Sequence, residues 1–176
     1  MEKLRKARVI AAKESLVTVE TDGDAIVKNE VGFVHLGNER LKAEVLRIRG
    51  NTADMQVFED TRGVKIGDEV SLSGEMLSAE LGPGLLGGVF DGLQNPLQPL
   101  ADEYGFFLPR GVYPDPLNRQ KLWNFESKVH AGDMLVAGAT IGTVQEGIIP
   151  HHIMVPFEEP EPVEIIEVRE GSFTVG

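Results

Sequence analysis

Gly82, Gly84 and Gly87 spell G-x-G-x-x-G, the spacing that lets a tight turn bring backbone N–H groups against a pyrophosphate. The neighbouring residues argue against that chemistry. Pro83 has no N–H to offer, and Pro96 and Pro99 leave no room for a full crossover helix and second strand before Asp102 or Glu103. The other phosphate cradle, G-x-x-x-x-G-K-[ST], is missing from a sequence without a single Gly-Lys dipeptide. No G-x-S-x-G elbow occurs, and zero cysteines exclude thiol catalysis, disulfide scaffolds and Cys-ligated zinc together. His151 and His152 are the nearest approach to metal ligands. As neighbours on a strand they would point to opposite faces, with only His35 and His130 left to join them. Trp123 reads as a core residue, with a ligand platform as the alternative, because buried aromatics dominate small β cores. No catalytic, cofactor-binding or metal-binding residue is therefore expected in this chain.

The elements that carry these residues are short strands and turns. Over 176 residues there are 20 glycines and 10 prolines against 6% aromatics, and no window has the pattern of a long amphipathic helix. From Ala7 to Ser73 strand follows strand: Arg8–Ala11 and Leu16–Val19 are joined around Lys13-Glu14-Ser15, and Val31, Phe33 and His35 alternate before a turn at Gly37-Asn38. Leu41, Ala43 and Val45 continue to a turn at Gly50-Asn51, which leads into Thr52–Phe58. Such spacing predicts a small antiparallel barrel, whose closure removes exposed edges. The run from Leu81 to Leu97, with five glycines and two prolines, joins this lobe to a second β-rich one. Its apolar part, Leu85 to Leu93, has room for at most about two or three helical turns. Val64–Asp68, Val129–Asp133 and Val168–Ser172 share V-x-x-G-[D/S], which reads as a reused tight turn with glycine at positive φ.

The net charge of −11 disfavours nucleic acid and anionic membrane as partners. Residues 1–73 are nearly balanced, with 12 basic and 13 acidic side chains. Residues 129–176 set Arg169 alone against eight acids: Asp133, Glu146, Glu158, Glu159, Glu161, Glu164, Glu167 and Glu170. The longest apolar runs fall far short of the ~20 residues of a membrane span, and the charged start at Met1–Lys6 leads into no signal-like segment. A cytoplasmic chain is expected.

Glu80-Leu81-Gly82-Pro83-Gly84-Leu85-Leu86, with Phe90–Gln94 and Pro96-Leu97, resembles the entry to the nucleotide-binding domain in the catalytic A subunit of V-type and archaeal-type rotary ATPases. The family usually has arginine where this chain has Asn95. Ala43–Gly50 and Gln56–Asp68 are similar to the N-terminal barrel of that subunit, with Ala43 at a position usually glycine and no Gly-Pro before Val17. Leu108–Val112 and Leu117–Phe125 resemble the bulge that separates A subunits from their non-catalytic B partners. From Val129 the spacing looks like a barrel-sandwich domain of the kind used by biotinyl and lipoyl carriers. No lysine occurs between Val129 and Gly176, so the amide-linked carrier function is excluded on chemistry.

The resemblance implies a mainly β fold: a barrel over 1–73, a joint with a short helix over 74–100, a barrel-sandwich-like bulge over 101–173, and a truncated return to the nucleotide-binding domain at 174–176. It further implies the N-terminal part of a subunit that couples ATP hydrolysis or synthesis to ion movement. Mg-ATP or ADP would bind the parent subunit and no cofactor would bind here. The expected partners are B subunits of an A/B hexamer and peripheral-stalk subunits at the bulge, with no direct membrane insertion. Glu158, Glu159 and Glu161, stiffened by Pro156, Pro160 and Pro162, form the candidate partner surface. The alternative is a free-standing β-rich adaptor that reuses the same modules.

Overall fold

The computed structural model describes residues 5–105 and 109–176. Expectations for Met1–Leu4 and for Phe106, Phe107 and Leu108 lie outside the described residues. The chain forms two compact units, one of Met1–Ala79 with Leu100–Tyr113 and the other of Glu80–Pro99 with Pro114–Gly176.

Six strands build the first unit: β1 (Arg5–Lys13), β2 (Leu16–Thr21), β3 (Glu30–Leu36), β4 (Glu39–Arg49), β5 (Thr52–Val57) and β6 (Glu69–Met76). They close in the order β1-β2-β5-β4-β3-β6, and every pairing is antiparallel. The expected turns are present, with Glu14, Gly37 and Gly50 in the left-handed region. Val9, Val17, Val19, Val34, Leu41, Val45, Met55 and Leu72 fill the interior, as period-two alternation requires.

The phase of β3 differs from the apolar alternation visible in the sequence. The barrel core takes Val34 and the buried Glu30 and Gly32, rather than Phe33 and His35. Phe33 meets the edge of Tyr113 at 6.0 Å between centroids and the Arg40 guanidinium at 5.0 Å, while His35 Nε2 hydrogen-bonds Ser71 Oγ at 2.9 Å. These partners cover the outer face, where Val31 is also buried, so the period holds while the barrel interior takes the other set. Glycine is required at position 32, since a Cβ there would lie 2.6 Å from Met55 Cε and 3.0 Å from Ser71 O.

A fully buried acid is unusual in a barrel of this size, and Glu30 has its full set of donors. Oε1 accepts from Val27 N–H at 2.5 Å, and Oε2 accepts from Gly74 N–H at 2.8 Å and pairs with the Arg5 guanidinium. A second acid fastens residues 110–113 to the same unit. Glu59 accepts from Gly111 N–H at 2.6 Å, Lys42 N–H at 3.1 Å and the Tyr113 hydroxyl. Burial, then the adjacent Glu59 carboxylate, push the Tyr113 phenol far above its ordinary range, so it stays a donor.

The short helix lies later than the joint's apolar segment. Leu85 to Leu93 forms turns, and α1 spans Leu97–Tyr104. Two features stop a helix over 85–93. Gly87 adopts φ +81°, and Asp91 Oδ1 accepts from Leu93 N–H and Asn95 N–H, both at 2.8 Å, giving the backbone a turn in place of a helix. Pro99 falls in the first turn of α1, where a missing N–H costs nothing.

In the second unit, β7 (Trp123–Ser127), β9 (Thr140–Glu146), β10 (Ile149–Met154) and β12 (Gly171–Phe173) form a sheet in the order β10-β9-β7-β12, and β8 (Met134–Leu135) pairs with β11 (Val163–Glu164). The strand β7 begins at Trp123, two residues after Lys121. Lys121 sets its ammonium 3.9 Å from the Trp123 ring centroid. Two copies of the V-x-x-G-D turn are the same structure. Gly67 and Gly132 have φ +95° and +92°, and Asp68 and Asp133 each accept from an N–H three residues back at 2.7 Å. The third copy differs: Gly171 opens β12.

Gly32→Ala is expected to destabilise the barrel by about 1–3 kcal/mol through overpacking against Met55. Urea denaturation should show that the cost is less than additive with Met55→Ala, because the two side chains compete for one space.

Candidate functional site

The G-x-G-x-x-G loop does gather backbone N–H groups around an anion, and that anion belongs to the protein. Glu146 Oε1 accepts from Gly84 N–H at 2.7 Å and from Leu86 N–H at 2.9 Å. Oε2 accepts from His151 Nδ1, also at 2.9 Å. The positions follow from strand geometry. Gly142, Val144 and Glu146 are the buried set along β9, and Ile149 and His151 stand on β10 opposite Glu146 and Val144. Backbone amides converging on a carboxylate form the same concavity that binds phosphate elsewhere, so the N–H groups a nucleotide would need are already bonded.

Other ties hold the loop. Arg119 Nη2 donates to both oxygens of Glu80, at 2.5 and 2.6 Å. Glu80 and Gln94 exchange bonds of 2.7 and 2.6 Å between one backbone and the other side-chain amide. Two glycines permit close approach, since a Cβ on Gly82 would meet Leu117 at 2.8 Å and one on Gly84 would touch the Trp123 ring at 3.4 Å. Trp123 is accordingly buried, as its core reading expects. Asn95 is buried as well, with its Nδ2 donating to Asp91 Oδ2 at 2.8 Å. Leu85, Phe90 and Leu93 are half-buried, whereas Leu81, Leu86 and Val89 are 83%, 55% and 65% exposed.

Of the two histidines, His151 takes part in this network through Glu146 and His152 does not. The two histidines engage different partners, His151 with Glu146 and His152 with Thr140 Oγ1 at 3.2 Å. Glu158, Glu159 and Glu161 are exposed along a turn closed by Glu159 N–H to Pro156 O, and their carboxylates have no hydrogen bond or ion pair among the described residues. Phe157 in the same turn is also exposed, its ring beside Gly138. Glu146 and Glu30 were the residues sequence reasoning missed. The signal for Glu146 was there: an acid that continues the inward register of Val144 must have buried donors.

Comparison with known proteins relates both lobes to one family. Residues 15–74 match the beta-barrel domain of the ATP synthase alpha/beta family, and residues 114–176 match the ATP synthase alpha/beta subunit barrel-sandwich domain. The chain belongs to the ATP synthase alpha/beta family. Within it, the chain is 48% identical over 171 residues to the V-type ATP synthase alpha chain of Borreliella afzelii (strain PKo), and 49% identical over 171 residues to the V-type ATP synthase alpha chain 1 of Treponema pallidum (strain Nichols). These matches cover 97% of this chain and 30% and 29% of the two relatives. Both modules lie in sequence within a single relative, which disfavours the adaptor alternative. No helix among the described residues is long and apolar enough to cross a membrane.

The electrostatics of Glu146 make the nest testable by pH. Burial pushes its carboxyl up, but the Gly84 and Leu86 N–H groups and His151 outweigh burial and hold it below the ordinary 4.5. A carboxyl with a depressed folded pKa contributes stability that is present above its unfolded pKa and lost as pH falls through the folded value. Acid weakening of this tie is therefore expected to begin below about pH 4.5 in wild type. Glu146→Gln should be less stable at neutral pH and lose that part of the acid dependence. Tryptophan fluorescence of Trp123 against pH reads both.

Proposed function

We propose that the chain is the barrel, joint and bulge portion of a V-type ATP synthase alpha (A) subunit, and that its role is structural. The observation that carries this reading is the similarity over 97% of the chain to such alpha chains, which takes in both the barrel and the barrel-sandwich domains. The whole subunit would couple ATP hydrolysis or synthesis to proton or sodium transport. Mg-ATP or ADP would bind in portions of the relatives beyond the 30% matched here. In that assembly the barrel would contribute to the ring formed with B subunits, and the bulge would meet peripheral-stalk subunits on the cytoplasmic side of the membrane.

The chemistry within the chain agrees with a non-catalytic part. No P-loop is present, and Glu146 occupies the one loop with nucleotide-like glycine spacing. The isolated chain is expected neither to hydrolyse ATP nor to bind Mg-ATP specifically. Isothermal titration that found a saturable micromolar site would overturn this.

Glu158, Glu159 and Glu161 are the proposed contact for basic residues of the stalk. Their carboxylates are exposed and unpaired among the described residues, they lie on a turn with three prolines, and residues 129–176 hold one basic side chain against eight acids. Association with the cognate stalk heterodimer should slow several-fold as salt shortens the Debye length below about 8 Å. Changing the three glutamates together to Gln should slow it at low salt. Stopped-flow association measured at both salt levels decides this. Rates independent of salt, or a triple variant that associates like wild type, would leave a solvated acidic turn.

A further inference from the structure

The loop Glu80–Pro99, whose last three residues open α1, lies outside the strand ladders. It contributes no strand to either sheet, only the isolated bridge between Phe90 and Pro96, and its internal bonds are local turns such as Gly88 N–H to Leu85 O and Gln94 N–H to Asp91 O, both 3.1 Å. Burial of its large side chains is incomplete, with Leu81, Leu86 and Val89 facing solvent. Among the polar ties that connect it to the rest of its unit are those made by Arg119 and by Glu146. Arg119 and Glu80 are each 39% exposed, so water and salt screen their attraction. The Glu146 side chain is 6% exposed, and its two bonds to Gly84 and Leu86 are charge-assisted bonds with little competition from water. The His151 bond to Oε2 fixes the carboxylate so that Oε1 faces both amides. The Glu146 tie is thus the stronger of the two.

We infer that Glu146, oriented by His151, is the positioning residue that makes the loop Glu80–Pro99 and the barrel-sandwich move as one body. A displacement of the sandwich then carries the loop with it, despite the glycines that would otherwise let the loop flex. Removing the carboxylate frees the loop and leaves the sandwich folded, because Val129, Val144 and Val155 remain buried in it. This inference does not depend on which assembly the chain joins.

Hydrogen exchange on the 176-residue chain tests it. In wild type the amides of Gly84 and Leu86 should be protected. In Glu146→Leu their exchange should rise roughly ten- to hundredfold, the scale for losing charge-assisted bonds, while β7, β9 and β10 keep their protection. Glu146→Gln retains an acceptor for both amides and should give a smaller rise in the same segment. The lack of cysteine permits a second readout, with spin labels at Val89→Cys and Lys128→Cys. Their distance distribution should be narrow in wild type and broad in Glu146→Leu. Unchanged exchange at Gly84 and Leu86 would show that packing on Trp123 and Leu117 holds the loop, and would overturn the inference. Exchange that rises throughout β7, β9 and β10 would overturn it too, by making Glu146 a folding residue. If Glu146→Leu does not fold, Glu146→Gln is judged by the same two criteria.

Discussion

Backbone N–H groups that no strand partner or helix turn receives must find an acceptor or remain hydrated, and a β-rich chain with one eight-residue helix among the described residues has many of them. Three glutamates meet that constraint. Glu30 receives Val27 and Gly74, Glu59 receives Lys42 and Gly111, and Glu146 receives Gly84 and Leu86. Each also takes a side-chain donor: Arg5, Tyr113 and His151 respectively. A carboxylate suits the task because its two oxygens accept several donors, and because each bond to an ionised acceptor is stronger than a neutral one.

The same arrangement explains how a buried charge is tolerated. An isolated carboxylate in an apolar core would neutralise itself, yet Glu146 is held below its ordinary pKa. Two amides and an imidazole replace the water it gave up. Removing the carboxylate leaves amides without partners, so the cost appears in the loop as well as in the core.

Function in this chain follows from where those amides are used. The glycine-rich joint has the geometry of an anion nest, and in another protein an empty nest would be a phosphate site. Here its donors are bonded to Glu146, which turns a candidate binding loop into a structural connection. The exposed acids at 158, 159 and 161 are the opposite case, with charges that no neighbouring side chain neutralises among the described residues. Both features fit the structural role proposed for this member of the ATP synthase alpha/beta family.

The strands, their hairpin turns and the barrel were legible from alternation and from glycines at Gly37, Gly50, Gly67 and Gly132, because these depend on residues adjacent in the chain. The family was legible from the joint and barrel motifs for the same reason. Tertiary contact decided the rest. The inward phase of β3 depends on Tyr113 and Arg40 covering Phe33, and on Met55 filling the space beside Gly32. Asp91 bonding to Asn95 and Leu93 holds 85–93 in turns, and the helix spans 97–104. The partnership of Glu146 with Gly84 spans 62 positions and that of Glu59 with Gly111 spans 52. Local sequence shows only an acid on a strand and a glycine in a loop. Whether one satisfies the other is settled by the fold, which removes both from water and leaves each as the other's available partner.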